Sequence, residues 1–339
     1  MTWQDQLKGQ PLSWLLETDT PEVHYLALRD LLERTPADPD LIIARKAAHT
    51  ARPIATVLDN MDEAGFWVVP GPGYNPKYRS TVWSVSLLAQ LGANVNEDAR
   101  LLQACNYVLE HALTPNGQFT SSGAPSGTAD CLQGNLCWAL LELGCEDPRL
   151  ETAFDWMARS VTGEGIAPST DRQAAIRYYA GKCGPTFACG SNDRLPCAWG
   201  AAKIMLAFGK LPASKRAPVI ERAIQQGIDF MFSVEPATAA YPTGYAAKPS
   251  GNWWKFGFPV FYVTDLLQIA EALVRLGYGH DPRMANTIEV IRSKQDKHGH
   301  WALEFDYRDK TWVDFGDKKQ PNKWVTLRAL RVLKAVGEG

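Results

Sequence analysis

Cys131 and Cys197 each open an apolar segment of this chain, and Cys183 and Cys189 lie in the stretch that leads to Cys197. Four thiolates are what a tetrahedral zinc site requires, so zinc is the cofactor this group predicts, with Cys131, Cys183, Cys189 and Cys197 as ligands. The intervening five and seven residues do not make a Cys-x-x-Cys knuckle. Reduced cysteine is also a common small buried hydrophobe, the reading that fits Cys105, Cys137 and Cys145. Seven cysteines is an odd number. They cannot all pair, and reduced thiols point to the cytoplasm.

Carboxylates supply a second chemistry. Asp265 stands in an apolar segment where an unpaired charge is costly. It either faces a polar cavity, where burial would raise its pKa toward that of a general acid, or is neutralised by a partner such as Arg328 or Lys323. Asp130, beside Cys131, is a helix cap or a catalytic acid. Glu304 and Asp306 crowd a late loop with Asp309 and Asp314 and could supply an acid/base pair. Aromatic residues supply a third. Tyr78, Tyr178, Trp253, Trp254, Tyr262 and Trp312 are the candidate cavity lining, since ring faces stabilise a cation or stack on a sugar. Arg328 and His24 are the basic candidates for ligand contact.

Whatever positions these groups repeats along the chain. A glycine, an aromatic residue, a loop and an apolar helix recur in DEAGFWVVPGPGYNPKYRSTVWSVSLLAQLG, in TPNGQFTSSGAPSGTADCLQGNLCWALLELG and in the segment from Gln295 to Ala335. Six apolar helical patterns alternate with six amphipathic ones, at intervals of roughly 50 to 70 residues. The apolar ones read as inner helices buried on nearly every side. Their amphipathic partners are expected at Trp3–Leu16, Pro39–Asp59, Glu97–Ala112, Pro148–Ser160, Ser214–Ser233 and Asp281–Lys294. Strict alternation predicts an all-α, (α/α)6 toroid of one domain spanning residues 1–339. Links from outer to inner helices are long and the reverse links short. All long loops therefore fall on one face, and the candidate site is the mouth they surround.

Composition narrows the partners. With 35 basic and 37 acidic residues the net charge is −2, which gives no electrostatic reason to expect nucleic acid. The opening residues MTWQDQLKGQ lack a basic-then-apolar leader, and no apolar run reaches membrane-spanning length. A protein without a transmembrane segment, monomeric or homodimeric, is the expectation.

The Gly-aromatic turn ahead of an apolar helix, best preserved as Gln295, Gly299 and Trp301, resembles the Gln-Trp repeats of squalene cyclases. It places the chain beside the terpenoid cyclase and protein prenyltransferase superfamily. FGFPVFYVTDLLQIAEAL, PCAWGAAK and KWVTLRALRVLKA resemble more closely a bacterial group of prenyltransferase and squalene-cyclase-repeat proteins. Some of that group carry a nitrogen-fixation label, which the lack of a Gly-rich phosphate loop or βαβ pattern does not support. The resemblance implies a toroid binding or transforming an apolar or isoprenoid-like ligand in a central aromatic cavity. Its reaction motifs are missing. Asp-x-Asp-Asp is reduced to Asp130, Asp-Asp-x-x-Asp is absent, and Asp130 and Cys131 are adjacent where prenyltransferases have Asp-x-Cys. Two other readings stay open: a carbohydrate-active (α/α)6 hydrolase or lyase, and a non-catalytic scaffold with a structural Cys/metal cluster.

Overall fold

The computed structural model describes residues 3–337, apart from the side chain of Gln6. Among them are thirteen α-helices and one two-stranded ribbon. In chain order the helices are α1 (Pro11–Leu15), α2 (Pro21–Asp30), α3 (Pro39–Thr50), α4 (Arg52–Asp59), α5 (Thr81–Gln90) and α6 (Ala99–His111). They continue as α7 (Asp130–Glu142), α8 (Arg149–Thr162), α9 (Ala198–Lys210), α10 (Pro218–Met231), α11 (Leu266–Arg275), α12 (Ala285–Ser293) and α13 (Lys323–Gly337). The ribbon pairs β1 (Ala188–Cys189) with β2 (Leu195–Pro196), antiparallel. The protein is mainly helical, as its periodicity predicts. Among the described residues no helix is long and apolar enough to cross a membrane.

The apolar helices are the buried ones. Every residue of α5 from Thr81 to Ala89 is buried, because an apolar circumference leaves no face suited to water. Helix α5 packs on α7, α7 on α9, α9 on α11, α11 on α13, and α13 on α2. Gly134 lets α7 and α9 approach closely, since a Cβ there would lie 2.4 Å from the backbone carbon of Lys203. The amphipathic helices back these. Helix α3 lies on α2, α6 on α5, α8 on α7, α10 on α9, and α12 on α11.

Three Gly-aromatic turns fasten one kind of helix to the other. Gly65, Gly117 and Gly299 take positive φ of 95°, 88° and 82°, a region costly for side chains with a Cβ. Two residues on, Trp67 donates its indole N–H to the Val57 carbonyl (2.7 Å) and its backbone N–H to Thr81 Oγ1 (3.2 Å). Trp301 repeats both bonds, to the Ile291 carbonyl (2.7 Å) and Thr326 Oγ1 (3.0 Å). Phe119 lacks the indole but keeps the forward bond, to Gln133 Oε1 (2.7 Å). Each turn thus joins the helix before it to the helix after it.

Several boundaries differ from the periodic expectation. Pro39–Asp59 breaks into α3 and α4 at an extended Ala51, because Pro53 has no N–H and its ring collides with the preceding turn. The segment Trp3–Leu16 is interrupted at Gly9 (φ 60°) and leaves only a short α1. Helix α11 starts at Leu266, so Asp265 does not stand within an apolar helix but caps one, accepting from the Gln268 N–H at 2.8 Å.

Glu22, 1% exposed in the first turn of α2, has no hydrogen-bond partner on either carboxylate oxygen. Burial pushes its pKa up to about 7, although the backbone N–H groups of Glu22 and Ile54, close to the carboxylate but outside hydrogen-bond geometry, offset part of that cost. An acid bound more tightly to its proton when folded loses stability as pH rises from its unfolded value through its folded one. Glu22→Gln, which cannot ionise, is therefore expected to be more stable than the native chain by up to about 3 kcal/mol at pH 8, and by no more than about 1 kcal/mol at pH 5. Urea unfolding at the two pH values checks this; an equal difference at both would refute the assignment.

Candidate ligand cavity

A cavity of about 600 Å³ opens at the long-loop end, over the first turns of α7 and α9. Asp130, Cys131 and Leu132 line it from α7, and Cys197, Ala198, Trp199 and Gly200 from the start of α9. Tyr74 and Lys77 reach it from the loop before α5, Cys189 from the ribbon, and Tyr241, Trp253 and Tyr262 from the loops before α11. Their rings are held in place. The Trp253 indole N–H donates to the Pro236 carbonyl (2.9 Å) and the Tyr241 hydroxyl to the Met231 carbonyl (2.6 Å). The hydroxyls of Tyr74 and Tyr262 meet each other, and Lys77 Nζ lies over both rings.

Asp130 is the carboxyl group of this wall. It is 4% exposed and its Oδ2 has no partner. The facing position is Gly200, where a Cβ would come within 3.0 Å of Asp130 Cβ. Burial, and then the charge of Cys189, push the Asp130 pKa well above the usual carboxylate range. Desolvation without a compensating cation keeps an acid neutral. The wall of the aromatic cavity therefore carries a carboxyl that holds its proton above the usual carboxylate range.

Three of the four expected zinc ligands share that wall, and they differ among themselves. A hydrogen bond from Cys197, with further bonds from Ser191 and Asn192, draws Cys189 down to about 6. Cys131 is pushed up to about 12 by burial and by Asp130. Cys183 does not line the cavity; it packs with Trp156, Ile166 and Tyr178. Among the described residues no group of three or more His, Cys, Asp or Glu side chains has the geometry to hold a metal ion. The donor set as arranged does not fit a tetrahedral zinc.

The other residues singled out in the sequence lie elsewhere. Asp265 accepts a bidentate pair from Arg328 (2.9 and 3.0 Å) and a bond from the Gly257 N–H (3.2 Å). Neither group faces the aromatic cavity. Glu304 is bound by Lys294 (2.7 Å) and the Phe256 N–H (2.8 Å), and Asp306 by Lys318 (3.0 Å). With Asp130 the one cavity carboxylate among the described residues, the two facing carboxyls of glycosidic hydrolysis are not brought together. Tyr78 packs on Trp83, Phe261 and Tyr307; the Tyr178 hydroxyl holds the Ser160 carbonyl. The indoles of Trp254 and Trp312 donate to the Ala237 carbonyl and Ser84 Oγ, and His24 Nδ1 is bonded to the Leu16 carbonyl. All five brace the structure outside the cavity lining. They are aromatic or basic because helices and loops must be fastened there.

Trp199, Tyr241 and Lys203 were not foreseen. Lys203 stands fully buried in the apolar segment PCAWGAAK, a signal of the kind that singled out Asp265. It donates to Thr264 Oγ1 (2.8 Å) and to Gln268 Oε1.

No family model and no curated protein matches the chain. Among solved structures it is similar to a protein from Actinoplanes, at 14% identity and TM-score 0.32, over 86% of this chain and 99% of that one. It is similar also to the type II terpene cyclase MstE from Scytonema, at 14% identity and TM-score 0.33, over 88% of this chain and 98% of that one. A variant of that cyclase in complex with geranylgeranyl dihydroxybenzoate matches at 13% identity and TM-score 0.32, over 88% and 96% of the two chains. Likenesses this distant leave the site to its own geometry.

Proposed function

We propose that this chain is a single α/α toroid of six helix pairs that takes an apolar, isoprenoid-like ligand into the aromatic cavity, where Asp130 acts as a Brønsted acid. The helix order supports the ring, since successive apolar helices pack on one another and α13 returns to α2. The observation that carries the chemistry is Asp130, a buried carboxyl in the wall of the ring-lined cavity, one oxygen of which has no hydrogen-bond partner. Its proton passes to one carbon of an alkene, whose π electrons form the new C–H bond. The neighbouring carbon becomes a cation and Asp130 a carboxylate. Tyr74, Trp199, Trp253 and Tyr262 offer the ring faces that such a cation favours. The seven free thiols suit a reducing, cytoplasmic setting.

The ligand class is that of the sequence expectation, and only the place of the cavity differs. The aromatic space lies over the first turns of α7 and α9, whereas the space shared by all six apolar helices is a well of about 70 Å³. Binding of a prenyl alcohol such as farnesol, followed by tryptophan fluorescence, tests the reading. Saturable binding is expected, with at least a tenfold loss in Ala198→Trp, where the new ring fills the cavity. Absence of saturable binding, or equal affinity in the filled variant, would sink the proposal.

A further inference from the structure

A second cavity lies among the apolar helices and reaches their C-terminal turns. It is a well of about 70 Å³ to which every inner helix contributes: Arg29 from α2, Gln90 from α5, Trp138 from α7, Lys203 from α9, Arg275 from α11 and Arg331 from α13. At roughly 10 to 15 Å³ for each water, it has room for about five waters.

Its carboxylates are already neutralised. Glu142 is held by Arg29 (2.8 Å) and Lys210 (2.6 Å), and Glu271 by Arg328 (2.7 Å). Behind them Asp30 is held by Arg29 and Arg331, and Asp265 by Arg328. Donors remain. The indole N–H of Trp138 and the Nε–H of Arg331 are buried without an acceptor, and exposed Arg275 at the rim acts on Asp30 and Glu142 only through its charge, without a direct salt bridge. Buried donors left unpaired cost free energy that an acceptor would recover.

We propose that this well is a binding site for a small multivalent oxyanion, with inorganic phosphate as its simplest representative. Such an anion offers mainly acceptors, fits the volume, and meets guanidinium groups in the geometry they favour. It would also favour the charged form of Lys203, whose pKa burial pushes down to about 7. By bridging helices that pack mainly on their neighbours, it would tie the six together toward their C-terminal turns. This inference is independent of the function proposed for the aromatic cavity.

Calorimetric titration of the full chain with inorganic phosphate at low ionic strength tests it. One saturable site is expected, displaced by sulfate, with affinity at least tenfold lower in Arg275→Gln and in Trp138→Phe. The first change removes an exposed charge and the second only an N–H, so both variants should melt like the native chain without phosphate. A native chain that binds no phosphate overturns the proposal, since the well then holds water alone. So does affinity unchanged in both variants, or affinity lost in Lys182→Gln, a change in the lining of the aromatic cavity, while Arg275→Gln retains it, which would put the anion at the aromatic mouth.

Discussion

Asp130→Asn is expected to reduce proton transfer to a bound alkene roughly a thousandfold, within the usual range for a general acid, while leaving affinity for the ligand unchanged. Asparagine keeps the shape of the side chain against Gly200 but has no acidic proton to give. Incubation with a prenyl alcohol in D₂O reads the step without knowledge of the final product, because protonation of an alkene carbon fixes deuterium that mass spectrometry detects. Native protein should label the ligand and the variant should not. The pH profile adds a sign. Because burial raises the Asp130 pKa well above the usual carboxylate range, labelling should persist beyond the pH at which an ordinary carboxyl ionises and fall at higher pH. Stability should not suffer. The unfolded carboxyl ionises at lower pH than the folded one, so the native chain loses stability as pH rises toward the folded value, and asparagine avoids that loss. Equal labelling in both proteins would remove Asp130 from the chemistry.

Arg328→Met is the substitution expected to cost most in stability, about 3 to 5 kcal/mol, the range for removing one partner of a buried ion pair. The Arg328 guanidinium binds both oxygens of Asp265, bonds Glu271 Oε2 at 2.7 Å and donates to the Gly257 carbonyl at 2.7 Å. Methionine fills much of the volume but strands two carboxylates. Most of the loss should return when Asp265→Asn and Glu271→Gln are added to Arg328→Met, because the charges left unpaired are then gone. Urea unfolding measures both. A loss below about 1 kcal/mol in the single variant, the scale of an exposed pair, would mean that water reaches these groups.

The repeat was legible because it is written in residue types with one physical use each. A glycine at positive φ followed two residues later by Trp67, Phe119 or Trp301 marks the same turn three times, and the uniform apolarity of Thr81–Gln90 marks a helix with no exposed face. Asp265 was legible as a buried charge needing a partner, with Arg328 among those expected. Its place in the helix was not, because the apolar run from Phe258 to Thr264 fits a helix by periodicity and departs from one in three dimensions. The lining of the cavity was half legible. Trp253, Tyr262, Asp130 and three thiols were foreseen. The loops that converge on them are long, and spacing along the chain does not say which of their aromatic residues face inward. Tyr178 and Trp312 turned to brace helices, whereas Trp199 and Tyr241 turned to the cavity.

The packing of α13 against α2 has a consequence for synthesis on the ribosome. The first apolar helix is made near residue 30, but the helix that covers it is completed only at Gly337. At about 5 to 20 residues per second, its apolar face waits roughly 15 to 60 s for its last neighbour. Early truncation products will expose that face permanently, and the nascent chain offers chaperones a long-lived apolar surface at its amino-terminal end.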